Sequence, residues 1–215
     1  MRIIDLTHTV APGMPLFPGT PQPQLEAICT HERDGFRETR LALTSHVGTH
    51  VDAPAHVLPG GRTLDVLDAS AFVGSALVVD CRGLGEGARI EIERVERMRP
   101  AADGVDFLLF DTGWSEYWGS DAYFGPYPCL SEAVVDYALR TGKKGIGLDT
   151  AGIDPVESLE MPLHRRFFSR GGTLIVENLT NLKNLGAEAF TLAVLPLKYA
   201  DADGAPARAV AILLG

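Results

Sequence analysis

Short apolar runs bounded by glycine, aspartate or glutamate recur along the chain and set its element pattern. Residues 74–80 (GSALVVD), 105–111 (VDFLLFD), 145–149 (GIGLD), 172–177 (GTLIVE) and 190–195 (FTLAVL) read as strands. Several of these runs are continuous enough to be buried on both faces. An opening strand is expected at Arg2–Thr7 and a closing one at Arg208–Leu214. The segment 36–46 (FRETRLALTSH) alternates polar and apolar residues, the period of a half-buried strand. Helical signals are fewer. Residues 131–141 (SEAVVDYALRT) place a serine at the N-cap, a glutamate in the first turn and Gly142 as a stop. Ile92–Arg99 and Pro162–Arg170 are shorter candidates. Residues 11–23 (APGMPLFPGTPQP) carry proline at every third position from Pro12 to Pro21, which predicts a stiff, irregular loop. No repeat or linker-like break interrupts the pattern. The expectation is one strand-rich α/β domain with a mixed sheet, spanning residues 1–215.

Composition narrows the function classes. A chain of 215 residues is long enough to bury a core, and its 46% hydrophobic content is that of a globular protein. Against 28 acidic residues stand 19 Lys and Arg, a net charge of −9, which argues against a nucleic-acid-binding surface. No apolar run approaches the roughly 18 residues of a membrane span, and Met1-Arg2-Ile3-Ile4-Asp5 lacks a signal-peptide pattern. A cytoplasmic protein without a membrane partner is expected. Cys29, Cys81 and Cys129 form no CxxC pair and are expected as reduced, mostly buried thiols.

Histidine placement changes the picture most. Residues 44–61 (TSHVGTHVDAPAHVLPGG) hold His46, His50, Asp52 and His56, half of the chain's six histidines within eleven residues. Imidazole and carboxylate are the ligand set of Zn²⁺, and of Mn²⁺ or Fe²⁺ where carboxylate weighs more. In a flat strand His46 and His50 would stand about 13 Å apart, too far to share an ion. Gly48, Pro54 and the β-branched Val47, Thr49 and Val51 oppose a helix. An extended segment bent at Gly48 is therefore expected. Three histidines and Asp52 complete a site by themselves, or one histidine stays free as a base and other ligands join. His164, in MPLHRRFF, and Glu177, ending the run LIVE, are the outside candidates. His8 is expected to be a satisfied structural histidine and His31 a solvated one. Trp114, Tyr117 and Trp118 are expected in core or subunit contacts, and Tyr123, Phe124 and Tyr127 in a loop able to cover a pocket.

The segment His46-Val47-Gly48-Thr49-His50-Val51-Asp52-Ala53-Pro54-Ala55-His56 resembles the H-x-GTH-x-D-x-P-x-H signature of the cyclase family of metal-dependent hydrolases. That family includes kynurenine formamidases and isatin hydrolases. The opening IIDLTHTVAPGMPLFPG, the stretches LLFDTGWSEYW and GLDTAGID, and His164 followed by Glu177-Asn178-Leu179 extend the resemblance over nearly the whole chain. It implies a swivelling β/β/α fold, assembled as a homodimer or homotetramer, and one or two Zn²⁺ or Mn²⁺ ions per chain. His46, His50 and Asp52 would bind one ion. His164 would serve a second, with Glu177 shared. His56 matches the family's general acid/base. The implied reaction is hydrolysis of a small amide, such as N-formylkynurenine, by a metal-bound hydroxide.

Three positions depart from the formamidase pattern. Phe17 stands where formamidases carry a substrate-stacking tryptophan, Thr20 where they carry aspartate, and Asp111 where many relatives carry arginine. These changes leave the metal chemistry intact and set the substrate apart; Phe17 still offers an aromatic face to a planar group. The competing readings are opening of a cyclic imide, lactam or lactone such as isatin, a dehydration-type cyclisation, and a non-enzymatic metal- or ligand-binding module.

Overall fold

The computed structural model describes residues 1–214. Its strands are β1 (Arg2–Asp5), β2 (Gln24–Cys29), β3 (Glu38–Ala42), β4 (His50–Asp52), β5 (Val73–Asp80), β6 (Arg89–Ile90), β7 (Phe107–Asp111), β8 (Cys129–Leu130), β9 (Gly145–Leu148), β10 (Leu174–Glu177), β11 (Phe190–Pro196) and β12 (Gly204–Leu213). Its helices are α1 (His31–Asp34), α2 (Ile92–Glu96), α3 (Ala101–Gly104), α4 (Glu132–Arg140) and α5 (Pro162–Phe168). The main sheet is mixed. β5, β7, β9 and β10 run parallel, and β10–β4, β4–β12, β12–β11 and β11–β5 are antiparallel. Those pairings close a seven-stranded ring, with β1 added along β12. Closure removes the sheet edges that would otherwise need protection.

Strand alternation sorts the apolar runs into two layers. Ala76 and Val78 of β5, Phe107 and Leu109 of β7, and Leu174 and Val176 of β10 fill the interior of the ring. Their neighbours Leu77, Val79, Leu108, Phe110 and Ile175 face outward against α4 and α5. Continuous hydrophobicity thus reflects burial on both faces. Glu177 follows Ile175 by two residues, so it points to the helix-covered side.

The expected strands at 74–80, 105–111, 145–149, 172–177 and 190–195 all appear, and the closing strand starts earlier than its apolar run, at Gly204. The segment 36–46 is corrected. β3 pairs only with β2, and every residue from Glu38 to Ala42 is exposed, so its alternating pattern covers no core. Helix 131–141 forms as α4, but Ser131 sits at the N-cap position without making the side-chain bond. Cys29, Cys81 and Cys129 are free thiols, the last two buried.

Candidate metal centre and cavity

Gly48 turns a linear motif into a cluster. Its φ of +63° lies in the left-handed region that favours glycine, and the chain enters β4 just after it. His50 and Asp52, two residues apart, share one face of β4. The antiparallel register sets Glu177 opposite His50, so its carboxylate joins the same face. His46, before the bend, folds back until its ring lies 5.1 Å from that of His50. Gly204, opposite Asp52, makes the room: a Cβ there would stand 2.4 Å from His46 Cε1. The expected bend is present, and no helix spans His46–Asp52.

The contacts interlock. His46 Nδ1 lies 2.7 Å from Asp52 Oδ1, and His50 Nε2 lies 3.2 Å from the same oxygen and 3.4 Å from Glu177 Oε2. His164 Nε2 lies 3.1 Å from Glu177 Oε1 and 3.7 Å from Asp52 Oδ2. Asp52 therefore faces three imidazoles and Glu177 two. Two donor sets emerge, one of His46, Asp52 and His56 and one of His50, Asp52 and Glu177, the donors of each within 4.8 Å of one another.

Three partners outside this cluster were not found by sequence reasoning. Asp154 accepts the backbone N–H groups of Leu163 and His164 and lies 2.7 Å from His164 Nδ1, so one carboxylate anchors the start of α5 and orients its histidine. Asp203 lies 3.0 Å from His46 Nε2. Asn178 donates to the Gly48 carbonyl. Asp154 and Asn178 lie in stretches that carry the resemblance, but no spacing rule assigns them. Asp203 precedes β12 and reaches the site only through the β12–β4 pairing.

Electrostatics mark the cluster as a cation site. Burial would depress the His50 imidazole, yet Asp52 and Glu177 outweigh it and raise it to about 10. Burial likewise opposes protonation of His46 and His164, and their carboxylate neighbours still raise both. Asp52 is buried, which would push it up, but the facing imidazoles hold it well below the usual carboxylate range. The buried Nε2 of His50 has no hydrogen-bond partner. His50 Nδ1 lies 2.8 Å from the Gly48 carbonyl, so a neutral ring carries its proton there and Nε2 would meet two carboxylate oxygens lone pair to lone pair. A divalent cation resolves that conflict, and the imidazole–carboxylate donor set fits one.

His56 differs from its neighbours. It ends the turn Pro54–His56, with its ring 3.9 Å from His46 and 6.2 Å from His164. Burial pushes its imidazole down, and Asp52 recovers only part of the loss, so the ring is neutral at pH 7. The turn is packed tightly, for a Cβ on Gly61 would stand 2.6 Å from the Pro54 carbonyl.

A cavity of about 280 Å³ opens over these side chains. His46, His50, His56, His164 and Glu177 line it on one side, and Phe17, Phe124, Tyr127, Val156, Leu159 and Met161 supply apolar wall. Phe17 meets Phe124 edge to face at 6.0 Å. Among the described residues, no Lys or Arg lines this cavity. Of the expected aromatic loop, Phe124 and Tyr127 do border it, and Tyr123 is buried beneath. Trp114 is core, whereas Tyr117 is exposed. His8 is corrected: its ring stacks on Trp118 at 3.9 Å, but its buried Nε2 has no partner. His31 is exposed, as expected.

Residues 4–155 match the model of a family named Cyclase and described as "Putative cyclase". A kynurenine formamidase of Erythrobacter litoralis is 32% identical over 211 residues, covering 97% of this chain and 93% of its own. Among solved structures, a potential metal-dependent hydrolase with cyclase activity is 27% identical with a TM-score of 0.80, covering 98% of this chain and 96% of its own. Isatin hydrolase A from Labrenzia aggregata, bound to benzyl benzoate, is 26% identical with a TM-score of 0.85, covering 98% and 93%.

Proposed function

Because the chain belongs to the cyclase family, we propose that it is a metal-dependent hydrolase of small, uncharged aryl amides, with His56 as its general acid/base. His46, His50 and Asp52 would hold one Zn²⁺ or Mn²⁺, and His164 a second, with Asp52 and Glu177 facing both. The ion supplies a Lewis acid that polarises the carbonyl and acidifies water. The observation that carries this reading is the contrast between five interlocked side chains, His46, His50, Asp52, His164 and Glu177, and one neutral, half-buried imidazole lining the cavity.

His56 takes a proton from the attacking water and returns it to the amide nitrogen as the C–N bond breaks. A carboxylic acid and an amine result. Phe17 and Phe124 hold a planar group against the wall. An α-amino acid side chain, such as that of N-formylkynurenine, would find acidic residues in the lining but no Lys or Arg for its carboxylate. The same neutral wall supports a second reading, opening of a cyclic amide such as isatin, in which acid and amine stay in one molecule. The exposed apolar residues Leu25, Ile28, Phe36 and Leu41 of the β2–β3 hairpin and its turn support a homo-oligomer, a homodimer or homotetramer.

The test is metal content together with turnover on neutral aryl formamides, isatin and N-formylkynurenine. Replacing His56→Ala should cut turnover at least ~100-fold with metal retained, whereas His50→Ala should lose metal and turnover together. Wild-type protein that binds no Zn²⁺ or Mn²⁺, or binds it and turns over none of the panel, overturns the reading. So does undiminished turnover in the His56→Ala variant.

A further inference from the structure

The bend at Gly48 is held by a chain of hydrogen bonds that ends on a buried tyrosine remote from the ligand set. Its polarity can be read from one end. The Gly48 carbonyl can only accept, and two groups reach it, His50 Nδ1 at 2.8 Å and the Asn178 side-chain nitrogen at 2.8 Å. Both must donate. His50 therefore carries its proton on Nδ1, and its Nε2 is the nitrogen left to face Asp52 and Glu177. With its NH₂ turned to Gly48, Asn178 presents Oδ1 in the other direction. There the hydroxyl of Tyr123 stands 2.7 Å away and donates, the Asp149 carbonyl at 3.3 Å being the more distant of its two acceptors.

We propose that Tyr123 is a positioning residue for the metal centre, acting through Asn178 and the Gly48 carbonyl to hold His50 in its ligating orientation. The inference rests on the metal-dependent reading above. Tyr123 is fully buried, and Asn178 is held at φ +56°, so neither can relax easily toward water. Without the hydroxyl, the buried Oδ1 loses its donor and the amide can turn. A turned amide sets oxygen against the Gly48 carbonyl, and the acceptor that fixes the His50 ring moves. Outer partners of this kind change metal affinity by about 10–100-fold.

The backbone around the chain is supported independently, which keeps the experiment clean. Asn178 N–H donates to Thr150 O at 2.9 Å, and Thr49 Oγ1 donates to Asn178 O at 2.5 Å. The Tyr123 ring packs against Trp118 and Phe124, and its carbonyl accepts from Trp114 Nε1. Tyr123→Phe thus removes one hydroxyl and no packing.

The experiment measures Zn²⁺ affinity by competition with a chromogenic chelator, with thermal unfolding alongside. The variants are Tyr123→Phe, Asn178→Ser, the double variant, and Tyr137→Phe. Tyr137 is the control: it is equally buried, and its hydroxyl bonds Asp103 of α3 instead of the site. Tyr123→Phe and Asn178→Ser should each weaken binding at least ~10-fold. The double variant should be little worse than either single one, because both cut the same chain, and Tyr137→Phe should bind within twofold of wild type. Unchanged affinity in Tyr123→Phe overturns the inference, as do additive losses or equal weakening in Tyr137→Phe. If Tyr123→Phe does not unfold cooperatively, Asn178→Ser alone decides, by the same tenfold criterion. Wild-type protein that binds neither Zn²⁺ nor Mn²⁺ overturns the hydrolase reading and this inference together. Normal binding in Tyr123→Phe overturns this inference alone.

Discussion

Asp111 shows how one residue can work against the fold that carries it. Its carboxyl ends β7, only 4% exposed, and burial with the nearby Asp149 pushes it up to about 6 despite Arg82 at 3.5 Å. In the unfolded chain it titrates near 3.8. Between those two values the native state binds more protons, so this group lowers stability as pH rises through the window. Well below pH 3.8 it is neutral in both states and has no effect. Asp111→Asn keeps the shape and removes the ionisation. The variant should gain on the order of 1–2 kcal/mol at pH 7.5 and about a third of that at pH 4.5. Urea unfolding of both proteins at the two pH values checks this, and a gain at pH 4.5 as large as that at pH 7.5 would refute it. His8 acts in the opposite sense. Its ring is lowered to about 4 by burial, so its contribution is present above its unfolded value of 6.5 and lost as pH falls toward 4.

At the scale of elements, the turn Pro54–His56 and the loop after it form one unit. Ala55 N–H donates to Arg62 O, Gly61 N–H donates to Leu58 O, and Gly61 lies against the backbone of Pro54 and Ala55. A methyl at residue 61 would strike backbone, which cannot swing aside as a side chain can. Gly61→Ala should cost about 1–3 kcal/mol and move His56 relative to the cluster. A misplacement near 1 Å is enough to lower turnover about 100-fold, while the imidazole and carboxylate groups on β4, β10 and α5 should still take up an ion. Metal content, turnover and unfolding measured together separate this outcome from general collapse. The elements also show what was legible. The H-x₃-H-x-D-x₃-H spacing with a glycine at its bend was readable because the motif is local in sequence. Asp154 and Asp203 were not, since one reaches His164 across a ten-residue excursion and the other depends on which strand lies beside β4. The β2–β3 hairpin misled for the opposite reason. Alternation reports a strand's geometry, and whether anything covers it depends on distant contacts that no local pattern encodes.

For the whole molecule, the site lies where separate parts of the closed sheet meet. β4 brings His50 and Asp52, β10 brings Glu177, α5 brings His164, and the segment leading into β12 brings Asp203. A bound ion would therefore join elements more than a hundred residues apart, and it should stabilise the entire fold. An ion present at a hundred times its dissociation constant contributes about 2.7 kcal/mol. For a chain of this size, each kcal/mol moves the melting midpoint by about 2–4 °C. Stripping with a chelator and reloading with Zn²⁺ should thus shift the midpoint by about 5–10 °C. The net charge of −9 offers a second explanation for any such gain, because a divalent cation also screens repulsion between surface acids. Mg²⁺ separates the two. It screens charge as well as Zn²⁺ does but prefers oxygen ligands, so a site built on His46, His50 and His164 should take it poorly. Calorimetric scans of the stripped protein with equal concentrations of each ion should show the large shift with Zn²⁺ alone. Equal shifts would mean that the acidic surface, and not the histidine cluster, is where the stabilising ion acts.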